Sequence, residues 1–214
     1  MNYKKQTRHN KIFETIRDRI VYMDYPPGMG LTEKEFCEEF KVSRTPLREA
    51  IRKLEDMKLV TVIPRFGTYV SPIDIDEIRC AFEVKIKLEG LAGELAARRI
   101  TSDKLDEMRK LIGDADRILQ EGGHRSLIGL DARIHEIIYL ATQNAILQEF
   151  LVNLHSRCAR LWGSSLSGVI PNKDVIDQLH GIQSALQDRD AKGARQLMEA
   201  HVQYFIDRIK MQLL

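Results

Sequence analysis

Apolar residues recur at helical spacing over most of this chain. Between residues 10 and 23, Ile12, Phe13, Ile16, Ile20 and Met23 share one face, which predicts an amphipathic helix. Pro26-Pro27-Gly28 ends it. Thr32-Glu33-Lys34-Glu35 has the spacing of a capping box, in which Thr32 caps the amide of Glu35 and Glu35 reaches back. It opens a short helix to about Phe40. Lys41-Val42-Ser43 reads as a tight turn. A third helix runs to about Met57, with Pro46 in its first turn and Leu47, Ala50, Ile51 and Leu54 facing inward. The pattern then changes to strand. Leu59-Val60-Thr61-Val62-Ile63 is rich in β-branched residues, Pro64-Arg65-Phe66-Gly67 is a turn, and Thr68-Tyr69-Val70 is a second strand. Three helices followed by a hairpin predict a winged helix-turn-helix.

The change at Ser71-Pro72-Ile73-Asp74 predicts a boundary, with one domain over 1–73 and another over 74–214. The second reads as helix after helix. Asp74–Arg99 places Ile78, Phe82, Leu88, Ala92, Leu95 and Ala96 inward. Further helices fit about 102–120, 125–142, 145–166, 173–188 and 191–212, punctuated by Gly122-Gly123, Gln143-Asn144, Gly168–Asn172 and Asp188–Asp190. The fold class is mainly α: a winged helix-turn-helix followed by an all-α antiparallel bundle of about six helices.

Composition narrows the function. With 214 residues, 43% hydrophobic and 30% charged, the chain can bury a sizeable core and is not a disordered polymer. A net charge of +2 excludes a uniformly basic, histone-like coat. Three scattered cysteines, Cys37, Cys80 and Cys158, argue against a disulfide framework and a thiolate zinc site. The polar N-terminal stretch does not read as a signal peptide, and no apolar run is long enough for a membrane span. A cytoplasmic protein without membrane association is expected.

On the third helix Arg44, Arg48 and Arg52 are four residues apart, on a face roughly opposite Leu47, Ile51 and Leu54. Guanidinium forks at a helix N-terminus can grip guanine edges or phosphates in a major groove. Arg52, further from that N-terminus, suits a phosphate. Arg65 at the hairpin tip can reach a phosphate or the minor groove, and Gly67 lets backbone approach DNA. A stripe of arginines on a surface helix is by itself usually a solvated face. The ordered series of capping box, turn, third helix and wing favours DNA.

In the second domain, polar residues stand where apolar ones are expected. Asp131 and His135 are i, i+4 on a face with Leu127, Ile134 and Ile138; His180 lies beside Ile176 and Leu179; His201 interrupts Met198, Val202, Phe205 and Ile209. A carboxylate and an imidazole buried together are costly unless compensated. A divalent metal would compensate both, since one Asp oxygen with His nitrogens is a familiar donor set. A hydrogen-bonded polar cluster is the alternative. A lone histidine on an apolar face is more often a satisfied core residue, and that reading is kept for His155, between Leu151, Leu154 and Cys158.

Residues Lys11–Val70 resemble the DNA-binding domain of the GntR family of bacterial transcription regulators. The resemblance is carried by Pro27-Gly28, Leu31-Thr32-Glu33, the run Val42-Ser43-Arg44-Thr45-Pro46-Leu47-Arg48-Glu49-Ala50, Leu54 and Gly67. It implies operator contacts by Lys34, Arg44, Arg48 and Gly67, with Thr45 in the same helical turn. Lys34 stands where arginine is common and would act as a point charge. Residues 75–212 resemble the effector domain of the FadR-type branch. There a D-x-x-x-H pair and two further histidines on separate helices bind a metal. Asp131, His135, His180 and His201 match, as do Asn144 and the Ala185, Asp190, Ala194 spacing. Where that branch often reads R-x-x-L-E on the first helix of the domain, this chain reads Lys85-Ile86-Lys87-Leu88-Glu89. Lys85 can attract an anion but cannot clamp it bidentately.

The expected protein is a repressor that binds double-stranded operator DNA as a homodimer. A small carboxylate effector would control it from an open face of a zinc, nickel or manganese ion, with Lys85 and, from the 145–166 helix, Arg157 as effector contacts. A direct metal sensor is the alternative reading. A metalloenzyme fits less well, because no general base stands on the metal-facing helix sides and no catalytic motif appears.

Overall fold

A computed structural model describes residues 3–165 and 172–213, and the chain divides into two compact units, Met1–Asp74 and Ile75–Leu214. In the first unit the order is α1 (Tyr3–Val21), β1 (Gly30–Leu31), α2 (Glu33–Phe40), α3 (Arg44–Asp56), β2 (Val60–Ile63) and β3 (Gly67–Val70). Ile12, Ile16 and Ile20 of α1 form one buried stripe, and Leu47, Ala50, Ile51 and Leu54 of α3 form another. The two helices pack on each other, and Phe36 of α2 joins the core. The sheet is antiparallel in the order β1-β3-β2, with Val60 opposite Val70 and Ile63 opposite Gly67.

Three local features differ from the sequence reading. Helix α1 begins at Tyr3, ahead of the predicted residue 10. Thr32 occupies the N-cap of α2 with extended backbone, but its side chain makes no capping bond; the amide of Phe36 bonds its carbonyl instead. The two-residue strand β1 adds a third member to the predicted hairpin, Gly30 pairing with Tyr69 and Leu31 with Thr68. Two residues are too few to show a period.

The second unit holds six helices among the described residues: α4 (Ile75–Arg99), α5 (Ser102–Gly113), α6 (Ala115–Ala141), α7 (Ala145–Ser165), α8 (Asn172–Gln187) and α9 (Ala191–Leu213). Helix α4 packs against α6, α7, α8 and α9. The break expected at Gly122-Gly123 falls instead at Asp114, and α6 runs unbroken through both glycines. A glycine costs about 1 kcal/mol in a helix interior, which packing elsewhere along 27 residues can absorb. Asn144 caps α7 by accepting from the amide of Leu147 at 3.2 Å. Residue 166 and the predicted loop at 168–171 lie outside the described residues. No helix among the described residues is long and apolar enough to cross a membrane.

Helices α4 and α9 approach closely at Gly93. A Cβ there would sit 2.6 Å from the carbonyl oxygen of Ala194 and 3.0 Å from its carbonyl carbon. At Gly90 the obstacle is the side chain of Glu199, which can swing aside. Gly93→Ala is therefore expected to lower the unfolding temperature, because overpacking against backbone costs about 1–3 kcal/mol. Gly90→Ala should leave it unchanged or raised, since the gain in helix propensity of about 1 kcal/mol is not cancelled. Thermal unfolding followed by circular dichroism checks both; a stabilised Gly93→Ala would show that the two helices can separate freely.

Candidate functional site

The residues expected to read DNA all belong to the first unit. Lys34, Arg44, Thr45, Arg48, Arg52, Arg65 and Gly67 are all exposed. The buried stripe of α3 turns Arg44, Arg48 and Arg52 outward. A cleft of about 620 Å³ runs between the start of α2, Arg48 of α3 and the hairpin from Val62 to Tyr69. The hairpin tip is tightly bent: Arg65 and Gly67 both take positive φ, 69° and 137°. Phe66, between them, is 79% exposed and forms an apolar tip that the sequence reading did not single out. Glu33 was also missed as a partner of the recognition helix. The Arg48 guanidinium donates to both of its carboxylate oxygens, at 2.8 and 3.2 Å.

In the second unit the buried charges converge. Asp131, His135 and His201 are at most 3% exposed, and one ligand atom from each lies within 4.8 Å of the others. Glu89, His135 and His155 form a second such group. Asp131 and His135 stand one turn apart on α6, and His201 faces them from α9. His135 Nδ1 lies 3.2 Å from both Glu89 Oε2 and the Tyr139 hydroxyl, and His201 Nδ1 is hydrogen-bonded to the Gln178 side-chain amide at 2.8 Å. Both Nε2 atoms face one carboxylate: His201 Nε2 is hydrogen-bonded to Asp131 Oδ1 at 3.0 Å, and His135 Nε2 lies 3.6 Å from Asp131 Oδ2. N–H groups of the imidazoles can satisfy this carboxylate, and a metal ion held by the same three groups would satisfy it in their place. The outer hydrogen bonds from Glu89 and Gln178 are of the kind that orients metal-ligating imidazoles. The donor set fits a divalent ion.

Burial alone would raise the Asp131 carboxyl, but the imidazoles of His135 and His201 outweigh it and hold it below the usual carboxylate range. Glu89 behaves alike: burial raises it, and His135 and Lys85 together bring it well below. Glu89 is fully buried and accepts from Lys85 Nζ and Tyr139 Oη as well as from His135. Burial pushes His155 down to about 3, so its ring is neutral, and pushes the Cys158 thiol up to about 12, so it is unreactive. The cluster floors a cavity of about 40 Å³ whose walls include Phe82, Trp162, Val202 and Phe205.

Three sequence expectations are changed by this geometry. His180 is exposed and outside both groups. On α8 the buried stripe is Val175, Leu179, Ile182 and Leu186, and His180 is turned about 100° from Leu179. Lys85 lines the cavity but is committed to Glu89. Arg157 is paired with Glu77, so neither predicted effector contact is an unengaged cation. Glu89, Tyr139, Gln178 and His155 were missed as parts of the site. For Glu89 a signal existed, because positions 78, 82, 85, 89, 92 and 96 form one helical stripe and two of them are charged.

A winged helix-turn-helix followed by a helical unit with a buried polar cavity defines a DNA-binding regulator with a sensory domain. Residues 8–70 match the bacterial regulatory proteins of the gntR family, and residues 80–204 match the FCD domain. The chain belongs to the GntR family of transcription regulators, in the branch with a FadR-type C-terminal effector domain, and is a regulator, not an enzyme. It is 26% identical over 205 residues to the HTH-type transcriptional repressor RspR of Escherichia coli K12, covering 96% of this chain and 90% of that protein. It is 25% identical to the galactonate operon transcriptional repressor of the same organism over 208 residues, covering 87% and 90%. The solved structure of E. coli McbR/YncC matches its fold with a TM-score of 0.84 at 21% identity, covering 97% of this chain and 99% of that one.

The Lys85–Glu89 pair gives this site a stability signature. Lys85→Met would leave the Glu89 carboxylate buried without its charge partner. Removing one member of a buried pair costs about 3–5 kcal/mol. The Lys85→Met, Glu89→Gln double variant should recover much of that loss, and chemical denaturation of the wild type and the two variants measures it. A single variant as stable as wild type would mean that Glu89 is held by Tyr139 and His135 alone.

Proposed function

We propose that the protein is a cytoplasmic repressor that binds a two-fold operator as a homodimer and is controlled at a divalent metal centre in the helical unit. The observation that carries this is the convergence of Asp131 with the Nε2 atoms of His135 and His201. Zinc, nickel and manganese all accept this donor set. Such an ion supplies a Lewis-acidic position for a small anion. The Lys85–Glu89 pair is neutral, so a divalent ion beside Asp131 leaves a local charge of about +1, which favours a carboxylate over a cation or a long neutral chain. The small cavity suits a ligand of few heavy atoms, and a relative named for the operon of galactonate, itself a carboxylate, is consistent with that class. Binding alters operator affinity only if the ligand prefers one arrangement of the dimer. The cavity's small size also favours a second reading, in which the ion itself is the signal.

On the DNA side, Arg44, Arg48 and Thr45 read the major groove from the start of α3. Lys34 and Arg52 hold phosphates, and the wing at Arg65–Gly67 approaches the backbone or minor groove. A palindromic operator implies two copies related by a two-fold axis.

Two measurements test these assignments. Arg48→Ala should lose roughly 1–3 kcal/mol of specific operator binding without unfolding, whereas Arg52→Ala should weaken all sequences equally and flatten the salt dependence. Gel-shift titrations at several salt concentrations separate the two; unchanged sequence preference in Arg48→Ala removes it from the recognition set. Calorimetry with mono-, di- and hydroxycarboxylates should give binding to metal-loaded protein and none to chelator-stripped protein. Equal binding in both forms contradicts the carboxylate reading. Operator affinity that changes with metal alone selects the direct sensor.

A further inference from the structure

Helix α4 carries two apolar stripes. The inner one, through Ile78, Phe82, Ala92 and Ala96, is buried together with Lys85 and Glu89. The second holds Val84, Leu88 and Leu91 at positions i, i+4 and i+7, and Val84 and Leu91 are exposed. Helix α7 has an outer stripe of its own. Ile146 and Phe150 share one side of it with Arg157 and are 71% and 60% exposed. Glu77 of α4 lies on the Val84 stripe, and the Arg157 guanidinium pairs with it. That ion pair sets the two stripes edge to edge on helices that pack on each other. At the other end Arg99 donates to the carbonyl of Thr142, just ahead of α7, so the two helices run antiparallel and the stripes stay side by side. Single exposed apolar residues are ordinary on a protein surface, whereas a contiguous group across two helices marks an interface.

We infer that this α4–α7 face binds the same face of a second copy of the chain and so builds the homodimer. The inference rests on the homodimer proposed above and gives it a place. Charge selects the occupant. The first part of α4, residues 75–83, holds Asp76, Glu77 and Glu83 against Arg79, a net −2. The rest, residues 84–99, holds Lys85, Lys87, Arg98 and Arg99 against Glu89 and Glu94, a net +2. A two-fold axis through the middle of the face runs α4 antiparallel to its copy and sets each acidic end against a basic one. The helix dipoles are then opposed as well. The same two helices line the sensory cavity with their inner sides, α4 through Phe82 and Lys85 and α7 through His155 and Trp162. A ligand that moves either helix moves the dimer contact, which supplies the differential interaction that control of operator affinity requires.

Sedimentation equilibrium of the full-length protein tests this. The wild type should be a dimer at micromolar concentration. Phe150→Glu should weaken it at least about a hundredfold, since an apolar anchor of an interface is worth a factor of about thirty or more and the two-fold axis counts it twice. Ile146→Asp, at the most exposed position of the face, should do the same and disturbs the fold least. Both should keep the helical circular dichroism of the wild type. Met211→Glu, at an exposed apolar residue of α9 outside the face, should leave the dimer intact. Wild-type self-association in both face variants, or an equal loss in Met211→Glu, overturns the inference and leaves the homodimer itself standing. A monomeric wild type overturns both.

Discussion

The helical unit is organised around the cost of burying two carboxylates. Asp131 and Glu89 occupy inward positions of α6 and α4 with almost no access to water. An isolated ionised carboxylate in such a place is too costly to persist unless cations or donors surround it. The surrounding helices meet that demand. Helix α4 supplies Lys85 to Glu89, α6 supplies His135 and Tyr139, and α9 supplies His201 to Asp131. His135 is shared, with one nitrogen facing each carboxylate. The Glu89 half is complete with protein groups alone. The Asp131 half lines the cavity, and on the metal reading proposed above an ion would take its place among Asp131, His135 and His201.

The DNA-binding unit is built on a different constraint. Its α3 must bury one face against α1 and leave the other free for a groove. The stripe Leu47, Ala50, Ile51 and Leu54 does the first and thereby turns Arg44, Arg48 and Arg52 outward. In the structure Arg48 is paired with Glu33, both side chains partly open to solvent. An exposed pair of this kind is worth little in itself. It can orient the guanidinium at small cost and, on the proposed reading, release it to DNA.

Much of this was legible because burial imposes a period. The apolar stripes located the helices of both units, and the shift to β-branched residues located β2 and β3. What was lost had local causes. Gly122-Gly123 looks like a break by propensity, yet α6 continues through it. Strand β1 is too short for a period. His180 and Leu179 differ by one position, which on a helix is the difference between solvent and core. The Lys85–Glu89 pair lay on the inward stripe of α4, but a lysine was read for its charge toward a ligand and not for the carboxylate one turn away. His155 was read as core because its neighbours in sequence are apolar; its relation to His135 exists only in the folded helices.

The central claim is that Asp131, His135 and His201 enclose a metal ion. Anomalous diffraction from crystals of the protein as purified, or soaked in zinc or nickel, with data collected on both sides of the metal absorption edge, tests it most directly. The account predicts a single strong anomalous peak in the buried cavity, bonded to an oxygen of Asp131 and to Nε2 of both histidines. Soaked crystals with no anomalous peak there would contradict it.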